Sequence, residues 1–194
     1  QTLIGYGRKA RKPQREVVLC IDQSGSMANS VVYSSIFGAV MASLPAVDTK
    51  MVVFDTAVVD MTEKLDDPVD VLFGVQLGGG TDINGAVGYC QGLIREPRNT
   101  ILVLISDLYE GGVEAGLLRR AHELGESGVQ FITLLALSDE GAPAYDAQLA
   151  AKLAALGVPS FACTPDAFPQ LMAAAIRRDD ISAWAAAQGM KTSR

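Results

Sequence analysis

The sequence of 194 residues is poor in several residue types that mark particular classes of protein. Its one histidine, His122, has no second histidine to act with, so we expect that side chain at the surface. Its longest purely apolar run is far shorter than the roughly 20 residues that a membrane-spanning helix needs. No charged and then apolar segment opens the chain, so no secretory signal is predicted. With 6% aromatic, 49% hydrophobic and 20% charged residues, the composition is typical of a soluble globular protein.

Cysteine is scarce as well. Cys20, Cys90 and Cys163 are odd in number and far apart, and each lies inside an apolar segment. Their spacing fits neither a metal-binding nor a redox motif. We interpret them as small buried hydrophobic residues of a reducing compartment, which favours the cytoplasm.

Charge is unevenly distributed along the chain. The first fifteen residues hold five basic side chains and no acid, whereas the net charge of the whole chain is −6. The acidic remainder argues against nucleic acid as the main partner. We interpret residues 1–15 as a basic linker from an upstream region, with contact to an anionic surface as the alternative. Since the chain starts at Gln1 and not at methionine, we expect it to be a fragment of something longer or a processed product.

The most informative stretch begins with an unbroken apolar run at residues 17–21, which ends at Asp22. Such a run is typical of a strand buried on both faces of a parallel sheet. The loop that follows lies at the carboxyl edge of the sheet, where open α/β folds bind their ligands. Asp22, Ser24 and Ser26 bring hard oxygen donors to this loop, and such donors suit Mg²⁺, Mn²⁺ or Ca²⁺ better than zinc or copper.

Three oxygens do not fill six coordination positions, and two other segments offer further donors. Three glycines at residues 78–80 precede Thr81 and Asp82, and they allow the backbone to approach a ligand closely. A second apolar strand at residues 101–105 leads to Ser106 and Asp107. We therefore predict that Thr81 and Asp107 complete a cation site. Asp82 either orients this site from behind or caps the helix that follows.

Together, the Asp-x-Ser-x-Ser motif, the Gly-Gly-Thr loop and the strand that ends in Ser-Asp resemble the von Willebrand factor A (VWA) domain over roughly residues 16–176. The resemblance implies a metal-ion-dependent adhesion site in which a divalent cation binds an aspartate or glutamate of a partner protein. Its metal ligands would be the five residues Asp22, Ser24, Ser26, Thr81 and Asp107.

The loop at residues 106–112 and the cysteines are most similar to the bacterial intracellular branch of this family, which includes the CoxE-like proteins. Members of that branch often act with MoxR-type AAA+ ATPases. The resemblance thus implies a C-terminal module of a longer accessory protein, a binding function and no enzymatic activity. Glu110, in the same loop, is expected to be a solvated acid.

The order of the patterns predicts the fold. Strand and helix patterns alternate, which favours a three-layer α/β/α sandwich around a mostly parallel sheet. Residues 50–54 and 57–61 read as a hairpin that adds one antiparallel edge strand. We expect one domain at residues 16–180 and a C-terminal tail at residues 181–194. The last helix of the domain is expected to begin at Thr164, whose hydroxyl would cap it ahead of a proline.

Two other functions remain open. A haloacid-dehalogenase-like phosphohydrolase would also place an aspartate after its first strand and a late aspartate near Mg²⁺. However, the second acid of such enzymes is replaced here by Ser24, which cannot be a general acid near neutral pH. No lysine lies between Lys64 and Lys152 to serve near the late aspartate. The other alternative is a VWA scaffold with an empty metal site, which would bind partners through its surface alone.

Overall fold

The computed structural model describes residues 15–27, 38, 40–42, 47–65, 79–136 and 144–192. Within these residues, six strands form one sheet in the order β3-β2-β1-β4-β5-β6. The strands are β1 (Arg15–Asp22), β2 (Val47–Phe54), β3 (Val58–Asp60), β4 (Thr100–Ser106), β5 (Gln130–Leu135) and β6 (Ser160–Phe161). Neighbouring strands are parallel except for β2 and β3. The predicted mostly parallel sheet with an antiparallel edge strand is therefore confirmed.

Helices cover both faces of this sheet. They are α1 (Ile83–Leu93), α2 (Glu114–Ser127), α3 (Ala147–Ala155), α4 (Phe168–Arg177) and α5 (Ile181–Ala187). Because side chains alternate along a strand, Leu19 and Ile21 pack into a core with α4 and α5. Val18 and Cys20 pack on the opposite face with α1, α2 and α3. These two cores make the three layers of the predicted α/β/α sandwich.

The central strand β1 determines how the ends of its neighbours line up. It pairs with β2 from Arg15–Val47 to Asp22–Phe54, and with β4 up to Ile21–Ile105. Consequently the carboxyl ends of β1, β2 and β4 lie side by side. The loops after these strands leave the same edge of the sheet, which we call the carboxyl edge.

Helix α4 starts later than the sequence predicts. Residues 165–167 form a turn in which the Ala167 N–H donates to the Thr164 carbonyl, and the helix begins at Phe168 without a side-chain cap. The reason is Pro169, because its ring would clash with the carbonyl four residues earlier if the helix began at Thr164. In the first turn, by contrast, proline is well tolerated.

Residues 15 and 181, where the sequence predicts the domain limits, belong to a strand and a helix that pack against the rest of the domain. Arg15 is the first residue of β1, and its buried guanidinium donates to the carbonyls of Ala175 and Ile176 at the end of α4. At the other limit, Ile181 belongs to the core, and the ring of Trp184 in α5 lies 6.4 Å from that of Phe161. Residues 181–187 therefore form a helix that packs on the sheet layer.

Three further expectations can be compared with the structure only in part. The helical spacing of Val32, Ile36 and Val40 predicts a helix after Ser26, which lies mostly outside the described residues, although residues 40–42 are helical. The sequence also predicts a brief helical turn that opens at residues 66–68 and runs to Phe73, and this segment lies outside the described residues entirely. None of the described helices combines the length and the apolar character needed to cross a bilayer.

We predict that Arg15→Met destabilises the domain by about 2 kcal/mol, because the carbonyls at the end of α4 lose a charged donor. Urea unfolding followed by circular dichroism measures this change. Arg119→Met is the matched control, since Arg119 is exposed on α2 and its ion pair with Glu123 is long, at 3.8 Å. Equal unfolding midpoints for the two variants would contradict the role of Arg15.

Candidate metal site at the carboxyl edge

Asp22 is the last residue of β1, and its carboxylate is completely buried. One oxygen accepts from the Ser24 N–H (2.9 Å) and the other accepts from the Ser106 hydroxyl (2.6 Å). Burial raises the pKa of Asp22, the bonds from Ser106 and Ser24 lower it, and the negative charge of Asp107 raises it further. Because Ile21 pairs with Ile105, Asp22 at the end of β1 and Asp107 just after β4 lie near each other.

The two serines after Asp22 lie side by side. The Ser24 and Ser26 hydroxyl oxygens are 3.2 Å apart, within hydrogen-bond distance. Residues Gly25–Met27 form a short 3₁₀ turn in which the Met27 N–H donates to the Ser24 carbonyl and the Met27 side chain is buried. This buried methionine fixes the turn to the core, while the Ser26 side chain stays exposed.

Asp107 follows β4 and is also buried. One of its oxygens accepts from the Tyr109 N–H (3.1 Å). Between them, Leu108 adopts a left-handed conformation (φ 63°), which costs a non-glycine residue roughly 1–2 kcal/mol. Its side chain is fully buried in the core beside α1 and α2, and this burial offsets the cost. The turn at Leu108 therefore fixes the path of the loop directly after Asp107.

Thr81 is buried in the loop before α1, and two neighbouring loops hold it in place. Its carbonyl accepts from the Gly111 N–H (3.0 Å), in the loop that carries Asp107. A Cβ on Gly111 would lie 2.6 Å from the same carbonyl, so only glycine permits this approach. The next residue, Asp82, donates its N–H to the Asp55 carbonyl (2.8 Å), beyond the end of β2.

Asp55, which the sequence pattern places only in a hairpin, also holds a loop beside the site. Its buried carboxylate accepts from the Ala57 N–H (2.7 Å) and from the Gly79 N–H (3.1 Å). It thus fixes the glycine loop ahead of Thr81 relative to β2. The available signal was that an apolar strand ends in aspartate at Asp55, as it does at Asp22 and Asp107.

The expectation that Glu110 is a solvated acid is wrong. Its half-buried carboxylate accepts from the N–H groups of Ile83 (3.2 Å), Asn84 (2.8 Å) and Gly112 (2.6 Å). The first two belong to the first turn of α1, whose N–H groups have no partner within the helix. Burial raises the pKa of Glu110, whereas these three hydrogen bonds lower it. Glu110 therefore joins the Asp107 loop to the start of α1.

The structure supports the simpler interpretation of Asp82 as a helix cap and of His122 as a surface residue. Asp82 is the N-cap of α1, and its carboxylate accepts from the Gly85 N–H (2.8 Å). His122 is exposed on α2, away from either core. The cap function of Asp82 is thus shown, while an influence of Asp82 on a cation stays a prediction.

The donor set of the carboxyl edge fits a hard divalent cation. Asp22 and Asp107 are buried like charges, and neither forms an ion pair among the described residues. A buried carboxylate without a cation is costly, and a second carboxylate nearby increases the cost. Within the same part of the chain, no three histidine, cysteine, aspartate or glutamate side chains cluster as a metal site. The two carboxylates and the hydroxyls of Ser24 and Ser26 are hard oxygen donors of the kind that such a cation prefers.

Known proteins resemble the chain in sequence and in fold. The family model described as "VWA domain containing CoxE-like protein" matches residues 1–172. The protein YehP of Escherichia coli (strain K12) is 41% identical over 157 residues, which are 81% of this chain and 42% of YehP. The chain therefore spans about two fifths of the length of that relative.

Two solved structures share the fold at low sequence identity. One is an aerotolerance-related membrane protein from Bacteroides fragilis NCTC 9343 (TM-score 0.62, 16% identity, covering 86% of this chain and 98% of that one). The other is a von Willebrand factor type A protein from Catenulispora acidiphila (TM-score 0.59, 14% identity, covering 81% and 40%). These structures support the fold, and the family match over most of the chain supports the lineage. The chain belongs to the VWA domain-containing CoxE-like proteins.

Proposed function

We propose that this chain is a metal-dependent protein-binding module. In this proposal Asp22, Ser24, Ser26, Thr81 and Asp107 hold Mg²⁺, or Mn²⁺ or Ca²⁺ in its place, and the cation binds an aspartate or glutamate of a partner protein. The observation that carries the proposal is the pair of neighbouring buried carboxylates, Asp22 and Asp107, neither of which forms an ion pair among the described residues. VWA domains are generally interaction modules, which agrees with this role.

Each proposed ligand would make a different contribution to cation binding. Asp22 and Asp107 supply negative charge, and their bonds to Ser106 and Tyr109 keep each carboxylate oriented. Ser24 and Ser26 supply neutral oxygens, so the cation would retain part of its positive charge. When bound, the cation supplies a strong and directional anchor for a partner carboxylate. Thr81 would supply the last of the five ligands, from a loop that hydrogen bonds join to two neighbouring loops.

Binding is favoured over catalysis by the residues beside Asp22. A phosphohydrolase would need an acid two residues later, but that residue is Ser24, whose hydroxyl lies 3.2 Å from Ser26. No observation in the structure supports the phosphohydrolase alternative, and we propose no catalytic residue. The scaffold with an empty site is distinguished from our proposal by cation titration.

We further propose that the module belongs to a longer cytoplasmic accessory protein and acts with a MoxR-type AAA+ ATPase. Membership of the CoxE-like family supports this partnership. The cysteines support a reducing compartment, since Cys20, Cys90 and Cys163 are all free and the first two are buried. Affinity capture from the native host with and without chelator tests the ATPase partnership directly.

We predict that Asp22→Ala lowers Mn²⁺ and Mg²⁺ affinity at least about a hundredfold, because the site loses one of two charges. Isothermal titration calorimetry measures the affinity, and EDTA should abolish the signal of the wild type. Asp48→Ala is the matched control, since it removes the same charge from an exposed position at the other end of β2. If Asp22→Ala and Asp48→Ala bind the cation equally well, the proposed site is wrong.

Asp55→Ala should lower Mn²⁺ affinity about tenfold although every proposed ligand remains. The reason is that the loop ahead of Thr81 loses the carboxylate that accepts from Gly79 and Ala57. Asp55→Asn retains one acceptor oxygen and should fall between the wild type and Asp55→Ala. Mn²⁺ affinity within twofold of the wild type for both variants would show that Asp55 does not position the site.

Cys163 should react very slowly with thiol reagents in the folded protein. Burial raises the pKa of the Cys163 thiol to about 12, so at pH 8 its thiolate fraction is on the order of a thousandfold below that of an exposed cysteine. Ellman's reagent at pH 8, with and without urea, measures the rates, and Cys163→Ser identifies the contribution of this residue. Rapid modification of Cys163 without urea would contradict the burial of its sulfur.

A further inference from the structure

The loop that carries Asp107 also carries two conspicuously exposed apolar side chains. Among the described residues, four large hydrophobic side chains are exposed: Tyr89, Tyr109, Val113 and Leu156. The two most exposed, Tyr109 (55%) and Val113 (62%), both lie in residues 107–113. Exposed aromatic and aliphatic groups beside a binding site are a common feature of protein interfaces.

The exposure of Tyr109 is imposed by the backbone. Leu108 adopts its left-handed conformation with its side chain buried beside α1 and α2. The Tyr109 N–H donates to the Asp107 carboxylate, so the aromatic residue is fixed next to a proposed metal ligand. Tyr109 is therefore held at the surface beside the site.

Val113 is fixed near the same place. It lies four residues after Tyr109, so their Cα atoms are at most about 14 Å apart. Hydrogen bonds from Glu110 to the Leu108 carbonyl and from Gly112 to the Glu110 carboxylate fold the loop and shorten this distance. At its other end, the Val113 carbonyl accepts from the Leu117 N–H at the start of α2. We call Tyr109 and Val113 together the apolar rim.

Two other loops described at the carboxyl edge present small or polar groups. After β1 these are residues 24–26, Ser-Gly-Ser, and before α1 they are residues 79–81, Gly-Gly-Thr. Neither of these two loops offers a large apolar contact, whereas the side of Asp107 does.

The acids near the apolar rim are engaged within the protein. Glu110 accepts from three main-chain N–H groups, and Asp82 accepts from Gly85. Glu114 forms an ion pair with Lys152. These acids would still repel a second acid on the partner, because the cation compensates only the carboxylate that it binds. Charge therefore favours an apolar neighbour for the bound carboxylate over an acidic one.

We propose that the apolar rim selects the partner. It contacts a large apolar side chain that lies one or two residues from the bound aspartate or glutamate in a peptide segment of the partner protein. Residues two apart in an extended segment are only about 6.5 Å apart, so the apolar side chain would lie close to the bound carboxylate. This inference rests on the proposed function and adds the sequence class that the site prefers.

Two synthetic hexapeptides test the inference. Both have blocked ends and a single aspartate. The aspartate is flanked by leucines in one peptide and by serines in the other. Titration in saturating Mn²⁺ should show at least tenfold tighter binding of the leucine peptide to the wild type, equivalent to about 1.4 kcal/mol. In Tyr109→Ser and Val113→Ser this advantage should fall below about threefold. Tyr89→Ser, which removes another exposed tyrosine from α1, should retain it.

Cation titration of each variant separates the possible failures. Unchanged Mn²⁺ affinity in all three variants is expected, because the apolar rim contributes no ligand. Equal binding of the two peptides by the wild type, or loss of the preference in Tyr89→Ser, would overturn the proposed role of the apolar rim. Neither result would contradict the proposed metal site. If the wild type binds Mn²⁺ but neither peptide, carboxylate capture and the apolar rim both fail. If the wild type does not bind Mn²⁺, the proposed function itself fails.

Discussion

The register of the central strand is the constraint on which the rest of the structure depends. Because β1 pairs in parallel with β2 and β4, the aspartates at or just after the ends of these strands reach the same edge of the sheet. Two of them, Asp22 and Asp107, are buried like charges, and the third, Asp55, accepts from main-chain N–H groups. A slip of one residue in β1 would turn Asp22 to the other face of the sheet and separate this arrangement.

Hydrogen bonds join the described parts of the loops at the carboxyl edge to one another. Ser106 donates to Asp22 and so joins β4 to β1, Gly111 donates to Thr81, and Glu110 accepts from the first turn of α1. Arrangements of this kind bind ligands with little loss of conformational freedom, since the groups are already ordered. The buried charge of the two aspartates would then be compensated when the proposed cation enters.

The sequence predicts those features that depend on local patterns. Apolar runs that end in aspartate indicate buried parallel strands, and the hairpin around Asp55 and the Gly157 terminus of α3 also follow from short motifs. Glu110 could not be interpreted in this way, because its partners Ile83 and Asn84 lie far away in sequence and no motif links them. The start of α4 differs from the prediction because the steric demand of Pro169 outweighs the capping pattern at Thr164.

The central claim is that a single divalent cation binds between the loops after β1 and β4. Anomalous diffraction from crystals grown in MnCl₂ tests this claim most directly. Our account predicts one strong manganese peak about 2.2 Å from the hydroxyl oxygens of Ser24 and Ser26, with Thr81, Asp22 and Asp107 bound directly or through one water. Crystals grown in saturating MnCl₂ that show no peak at this position, or a peak away from these five side chains, would contradict the account.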